Sequence, residues 1–60
     1  DIVWHSTLGL LRSEGKQILQ LQVNTGVWRP LFDLGGLGLH RITRFALDKD
    51  LKTLVVVDNL

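Results

Sequence analysis

The sequence has no cysteine, no methionine, no tyrosine and a single proline. Without cysteine the chain can form neither a disulfide framework nor a thiolate zinc site. No apolar run approaches the roughly 18 residues of a membrane-spanning helix. The first residues also lack the charged and apolar segments of a signal peptide. We therefore expect no membrane insertion, no metal and no cofactor.

The chain is short, at 60 residues against the roughly 100–200 of a typical domain. A domain of this size buries only about 60% of its unfolded surface, so its stability is marginal. It is too small for a multi-step enzyme that carries its own cofactor domain. Because the chain starts at Asp1 without an initiator methionine, we expect a single small β module, residues 1–60, that is a fragment or one repeat unit of a larger protein.

Charge gives little indication of a nucleic-acid partner. There are 7 Lys and Arg residues against 6 Asp and Glu, a formal net charge of +1, whereas nucleic-acid binders usually carry a clustered basic patch. The one local excess is Arg41 and Arg44, beside His40. Two such charges are more typical of a solvated strand edge, so the sequence disfavours nucleic acid as a partner.

Five short segments have the composition and periodicity of β-strands. In residues 17–23, the apolar Leu19, Leu21 and Val23 alternate with Gln20 and Gln22, which is the period of a strand. Residues 24–26 (Asn-Thr-Gly) then supply a turn, and Pro30 makes the following arm an edge strand because proline has no N–H to donate. The predicted strands are residues 2–6, 17–23, 27–32, 41–47 and 53–57.

The segment 39–49 is compatible with two structures. Leu39, Ile42 and Phe45 recur at helical spacing, while residues 42–47 also alternate with the period of a strand. The acidic turn at the end of this segment and the β-branched residues after it favour a hairpin. We therefore expect an all-β fold of about five short antiparallel strands; a helix in this segment would instead give an α+β fold.

A weak internal repeat is present. A shift of 50 positions places residues 4–10 over residues 54–60, and both stretches have the pattern of a strand, a short turn and a leucine. A period near 50 is typical of a four-stranded propeller blade.

Three stretches resemble β-propeller repeats. Residues 38–50 look like the opening of such a repeat, in which a strand leads through an acidic turn into a strongly β-forming strand. Residues 3–10 are similar to the strand, Thr and Gly-Leu segment of two-component-regulator propeller repeats, and residues 15–28 resemble the later strands of a blade. The pattern departs from the family at Leu51, where a turn glycine is usual, and at Leu54, where the other copy has the aromatic Trp4.

The resemblance implies one offset blade and the start of a second, with strands in the order second, third, fourth, first, second. It implies a non-catalytic scaffold of a sensor type, whose loops bind a protein or a small ligand. Thirteen leucines in 60 residues exceed what one small core buries. The surplus indicates apolar surface for a protein partner: other blades, a second copy or a parent chain.

The residues expected to contact a ligand or partner are polar-tipped or aromatic and lie at strand edges or in the longest loop. They are Trp28, Arg29, His40, Arg41 and Arg44. The alternative is a free-standing five-stranded barrel that binds nucleic acid or a peptide. In it, Trp28 and the three arginines would form the groove.

Other motifs have simpler structural explanations. His5 and Ser6 are neighbours on a predicted strand, so they point to opposite faces and cannot form a nucleophile–base pair. The remaining candidates lack the spacing that their chemistry needs: a metal site from His5, His40 and Asp33, a calcium loop at residues 48–50, and a phosphate loop at Gly36 and Gly38. We expect no catalytic residue and no metal ligand.

Overall fold

Two antiparallel β-sheets make up the part of the chain that the structure, a computed structural model, describes, residues 2–59. Sheet A is a meander of four strands that pair in chain order: β1 (Ile2–His5), β2 (Gly9–Glu14), β3 (Gln17–Gln22) and β4 (Val27–Asp33). After a short 3₁₀ helix, Gly35–Leu37, the chain forms sheet B, a hairpin of β5 (Ile42–Leu47) and β6 (Leu54–Asp58). Within these residues there is no helix long and apolar enough to cross a membrane.

The predicted all-β antiparallel fold is confirmed, but residues 2–59 form six strands and not about five. The strand that was missed is β2, because it opens with Gly9 and carries Arg12 and Glu14 among its few apolar residues. The other five agree with the prediction to within one residue at each end. Pro30 lies on β4, which is an edge strand as expected.

Two alternatives from the sequence are wrong. The helix considered for residues 39–49 does not form, because β5 occupies this segment and pairs with β6, Phe45 opposite Val56. The closed five-stranded barrel does not form either, because the strands divide into two open sheets.

The strand order also differs from the offset blade that the resemblance implied. Four consecutive strands complete one sheet before the chain enters the next. The repeat at a spacing of 50 aligns the end of β1 with β6. β1 is the first strand of sheet A, whereas β6 is the second strand of sheet B. The two stretches therefore hold different positions in the fold. Asp1 and Leu60, which entered these expectations, lie outside the described residues.

The core lies between the two sheets. Leu11 and Ile18 of sheet A are fully buried, and Ile42 and Phe45 of sheet B pack against them. Burying one such side chain stabilises the fold by about 1.5–3 kcal/mol. The loop between the sheets contributes its leucines as expected: Leu34 and Leu39 pack on this core, whereas Leu37 is 73% exposed.

Sheet A is apolar on the side away from sheet B as well. The ladder register places seven apolar side chains on this outer face of sheet A: Ile2, Trp4, Leu10, Leu19, Leu21, Trp28 and Pro30. Arg12, Glu14 and Gln17 lie on the same face. Leu19 is buried, but Trp4 is 71% exposed. Both faces of sheet A therefore carry large apolar side chains, and its outer face is only partly buried.

A buried histidine joins the two sheets. His5 is only 4% exposed, and its Nδ1 accepts hydrogen bonds from the backbone N–H groups of Thr7 (3.0 Å) and Leu8 (3.1 Å). Its Nε2–H donates to the carbonyl oxygen of Asp48 at 2.8 Å. Two N–H donors at Nδ1 require that nitrogen to be unprotonated, so the hydrogen bonds fix the neutral tautomer that carries its proton on Nε2.

The turn between β5 and β6 is organised by a carboxylate. Asp48 Oδ1 accepts hydrogen bonds from the backbone N–H groups of Lys52 (2.7 Å) and Thr53 (3.2 Å). The same turn contains Leu51 at φ 62°, the only described residue other than glycine with a positive φ. Leu51, which replaces the turn glycine usual in propeller repeats, thus has a left-handed backbone conformation that favours glycine.

Candidate functional site

A cleft of about 860 Å³ opens where the two hairpins of sheet A separate. The β2–β3 ladder ends at the pair Leu11 and Gln20, so the backbone before Leu11 and the backbone after Gln20 do not pair across the gap. The cleft is lined from one side by residues of β1, β2 and their turn, and from the other by β3, β4 and theirs: Trp4, Ser6, Thr7, Leu8, Gly9, Leu10, Gln20, Leu21, Gln22, Val23, Asn24, Thr25, Val27 and Arg29.

The walls of the cleft are mixed in character and almost uncharged. Trp4 presents a largely exposed indole, while Gln22 and Asn24 contribute amides. The Gln20 amide Nε2 donates to the carbonyl oxygen of Leu8 at 2.8 Å, which ties the two hairpins together. Arg29 is the only ionisable side chain among the described residues that line the cleft. A site of this kind suits a ligand with apolar and hydrogen-bonding groups and one negative charge.

Trp28 and Arg29, both expected to contact a ligand, lie on opposite faces of β4. The register pairs Trp28 with Leu21 on the outer face of sheet A and Arg29 with Gln20 on the other face. Arg29 thereby lines the cleft. Trp28 is instead engaged by a neighbour, because the guanidinium carbon of Arg12 lies 4.7 Å from the centre of its ring.

Arg12 is a residue that the sequence interpretation missed. Its Nη2 donates to Glu14 Oε2 at 3.4 Å, while its buried Nε has no hydrogen-bond partner. A cation–π contact at such a site stabilises by about 0.5–1 kcal/mol. Arg12 lies on β2 and Trp28 on β4, the two strands on either side of β3. Because β2 was not predicted from the sequence, the contact between these two residues could not be predicted either.

His40 and Arg41 lie together at the entrance to sheet B, both bound to Asp58. Asp58 Oδ1 accepts hydrogen bonds from the backbone N–H groups of His40 and Arg41, each at 2.8 Å, and Oδ2 lies 3.1 Å from His40 Nδ1. Desolvation raises the pKa of Asp58, but the hydrogen bonds from the His40 side chain and the two backbone groups outweigh it, and the pKa lies below its usual value of 3.8. This constellation fastens β6 to the start of β5.

Arg44 lies on the side of sheet B that faces away from sheet A. We call this surface the outer face of sheet B; it comprises Arg44, Ala46, Val55 and Val57. Val55 is 58% and Val57 51% exposed, and a shallow groove of about 220 Å³ lies along them. This surface is apolar with a positive rim.

The five predicted contact residues therefore occupy four places. Only His40 and Arg41 are brought together; Arg29 lines the cleft, Trp28 lies on the outer face of sheet A, and Arg44 lies on the outer face of sheet B. The groove that the barrel alternative required from Trp28 and the three arginines is not assembled.

His5 and Ser6 have no arrangement suited to nucleophilic catalysis. Both ring nitrogens of His5 are occupied by backbone groups, so neither is free to take a proton from a hydroxyl. Between residues 2 and 59, no group of three His, Asp or Glu side chains is placed to hold a metal ion. His5 is thus accounted for as a structural residue.

The chain matches no protein-family model, no curated protein and no solved structure. Function is therefore inferred from the geometry of this chain alone. In the described part of the chain, the features available for binding are the cleft, whose lining carries Arg29 as its single charge, and the partly exposed apolar outer faces of the two sheets.

Proposed function

We propose that this chain is a non-catalytic recognition module, a propeller-type β scaffold that binds an extended protein segment in the cleft of sheet A. The observation that carries the proposal is the cleft itself, in which unpaired strand backbone, an exposed indole and a single arginine lie along one opening. The proposed ligand is a stretch of chain with alternating apolar side chains and one acidic group.

The scaffold part of the proposal is supported by how the sheets stack. Sheet A is a four-stranded antiparallel meander, and a second sheet packs on one of its faces. Blades of a propeller are four-stranded sheets that stack in this face-to-face manner around a centre. The outer face of sheet A, with Trp4 71% exposed, is apolar as the face of a blade between two neighbours would be.

The recognition part is supported by the chemistry of the cleft. An extended segment can hydrogen-bond to strand backbone that has no ladder partner, and side-chain pockets then provide selectivity. Beyond Leu11 and Gln20, β2 and β3 have no ladder partner on the side of the gap, while Leu10 pairs with β1 and Leu21 pairs with β4 on their other sides. Arg29 would pair with an acidic group, because no carboxylate among the described lining residues neutralises it.

Among the described residues that line the cleft, Arg29 has no ionisable partner, and this favours binding over acid–base catalysis. The hydroxyls of Ser6, Thr7 and Thr25 line it, but a nucleophilic hydroxyl needs an adjacent base. The guanidinium of Arg29 has only hydrogen-bond donors and no acceptor, so it cannot serve as that base.

The test is titration of the ¹⁵N-labelled chain with two hexapeptides that alternate valine and threonine and end in either aspartate or lysine. We expect amide shifts at Leu10, Leu21 and Arg29, and tighter binding of the acidic peptide. Arg29→Gln should remove the preference for the acidic peptide, whereas the matched control Arg44→Gln, on the outer face of sheet B, should keep it. Shifts elsewhere, or none at millimolar peptide, would contradict the proposal.

A further inference from the structure

The edge strands of the two sheets differ in how well they are protected against pairing with another chain. Exposed edges are usually blocked by proline, by bulges, by charged side chains or by shortness. In sheet A, β1 has only four residues, and β4 carries Pro30 and a bulge at Leu31. In sheet B, β5 carries a bulge at Thr43.

Strand β6 has neither a proline nor a bulged residue, and its one charged side chain, Asp58, lies at its last position. It runs Leu-Val-Val-Val-Asp over Leu54–Asp58, with no proline, glycine or basic residue and with no extra residue that would bend it. Three consecutive valines are strongly β-forming. Of the strand edges in residues 2–59, the outer edge of β6 is the one best suited to accept another strand.

The hydrogen bonds of sheet B show which backbone groups of β6 are turned outward. Thr53 O accepts from the Asp48 N–H, Val57 O accepts from the Thr43 hydroxyl, and the Asn59 N–H donates to Arg41 O. The odd-numbered residues of this strand therefore direct their backbone groups to the β5 side. Because successive residues of a strand alternate in this respect, Leu54, Val56 and Asp58 direct theirs to the free edge.

We propose that the free edge of β6 binds β6 of a second copy of this chain, antiparallel and about a two-fold axis through Val56. In this register Val56 lies opposite its own copy and Leu54 lies opposite Asp58, so the outward backbone groups of all three residues pair. Sheet B would become a continuous four-stranded sheet in the order β5, β6, β6, β5. A closed two-fold interface of this kind is isologous and ends at the dimer.

The side chains of β6 make this pairing self-complementary. On the outer face of sheet B, Val55, which is 58% exposed, comes opposite Val57, which is 51% exposed, so four valines meet around the axis. β-Branched pairs across non-hydrogen-bonded positions stabilise antiparallel sheets. The one charged residue of β6, Asp58, is opposed by a leucine, and its carboxylate already binds His40 and Arg41, so no like charges face each other.

The interface of one strand pair is small, below the roughly 1,200 Å² of a stable complex. The dimer should therefore depend on concentration. Sedimentation equilibrium between about 10 μM and 1 mM should show the molar mass rise from 6.8 kDa towards twice that value. A mass that stays at 6.8 kDa throughout would overturn the proposal.

Charge substitutions test the register. Val55→Lys with Val57→Lys, and separately Val55→Glu with Val57→Glu, should each remain monomeric over this range, because like charges then face one another across the axis. Mixing the two variants should restore a dimer that contains one copy of each. Ile2→Lys with Leu37→Lys, at sites 62% and 73% exposed, is the matched control and should dimerise like the parent chain.

A lysine variant that still dimerises, or a mixture that stays monomeric, would overturn the proposed pairing. If a charge variant fails to fold by circular dichroism, Val56→Pro replaces it, since it removes an outward N–H while leaving the hydrogen bonds to β5 in place; a Val56→Pro dimer would likewise overturn the pairing. These experiments use no residue of the cleft, so they can fail or succeed independently of the peptide-binding proposal.

Discussion

The two hairpin turns that meet between the sheets hold their backbones by the same device but with different chemistry. After β1 an imidazole accepts two backbone N–H groups, and after β5 a carboxylate does so. The imidazole has a second nitrogen, and His5 uses it to bind the backbone of Asp48 in the opposing turn. The carboxylate of Asp48 is exposed and serves its own turn alone. The turn after β1 therefore connects the two sheets through His5, whereas the Asp48 carboxylate stabilises only the turn after β5.

Removing the imidazole should have the largest effect. His5→Ala leaves the N–H groups of Thr7 and Leu8 without their acceptor in a part-buried site, and it leaves the Asp48 carbonyl with the Leu51 N–H as a partner. Each unpaired N–H group costs about 1–3 kcal/mol. We expect a loss of about 3 kcal/mol in the free energy of unfolding, measured by urea denaturation followed by circular dichroism. This is a large part of the about 3–9 kcal/mol typical of 60 residues.

Two polar replacements separate the functions of the imidazole. His5→Asn can retain an acceptor near the position of Nδ1, and His5→Gln can reach towards the Asp48 carbonyl. If the connection between sheets matters more than the turn, His5→Gln should be the more stable of the two. Equal stability of His5→Ala and both polar variants would show that the hydrogen bonds contribute little.

Removing the carboxylate should have a smaller effect. Asp48→Ala deprives the Lys52 and Thr53 N–H groups of their acceptor, but these groups are exposed and water can replace it. We expect a loss of about 1 kcal/mol in urea denaturation. Asp48→Asn, which keeps an oxygen at this position, is the control and should lie close to the parent chain. A loss for Asp48→Ala as large as that for His5→Ala would remove the distinction between the two turns.

The carboxylate-held turn also contains a strained position that can be relieved. Leu51 has φ 62°, a conformation that costs a residue with a side chain about 1–2 kcal/mol. Leu51→Gly removes this cost but increases the freedom of the unfolded chain, so we expect a net gain of about 0.5 kcal/mol. Leu51→Val should instead destabilise the chain. Differential scanning calorimetry on the three chains would show the order, and a lower melting temperature for glycine than for leucine would contradict it.

The smallest effect depends on pH and concerns Asp58, a further carboxylate that accepts backbone N–H groups. Because the pKa of Asp58 in the folded chain is below 3.8, its contribution to stability is complete above that value and is lost as the pH falls through the folded pKa. Asp58→Asn should thus be less stable than the parent chain at about pH 7, and the difference should shrink at about pH 2.5. Leu37→Ala, at a 73% exposed site with no ionisable group, is the control. A difference that grows on acidification would contradict this assignment.

The sequence revealed strands where a single pattern dominated. Alternation identified β3, and proline correctly placed β4 at an edge. Prediction from the sequence failed at β2, because the glycine and charged residues of this strand resemble a turn. In the structure β2 pairs on both sides and is an inner strand of sheet A. Pairing partners far along the chain decide such a segment, and local composition does not contain them.

The candidate site was less predictable than the fold. Arg29 was expected to contact a ligand and does line the cleft, but the cleft exists because two hairpins separate, which no residue pattern records. His5 was expected to be a structural residue at a strand end, but its contact with Asp48 spans 43 positions and cannot be predicted from the sequence around either residue. Trp28 was considered free for a ligand, but Arg12 of β2 covers it.

The contact between His5 and Asp48 also bears on the order in which the chain folds. The strands within each sheet are joined by short turns, whereas this hydrogen bond closes a loop of 43 positions. Closing a loop of that length costs on the order of 3 kcal/mol in chain entropy, so the docking of sheet B should follow the formation of the hairpins. Substitutions at His5 should then accelerate unfolding and leave the refolding rate nearly unchanged, which stopped-flow measurements in urea would show as a shift of the unfolding limb alone.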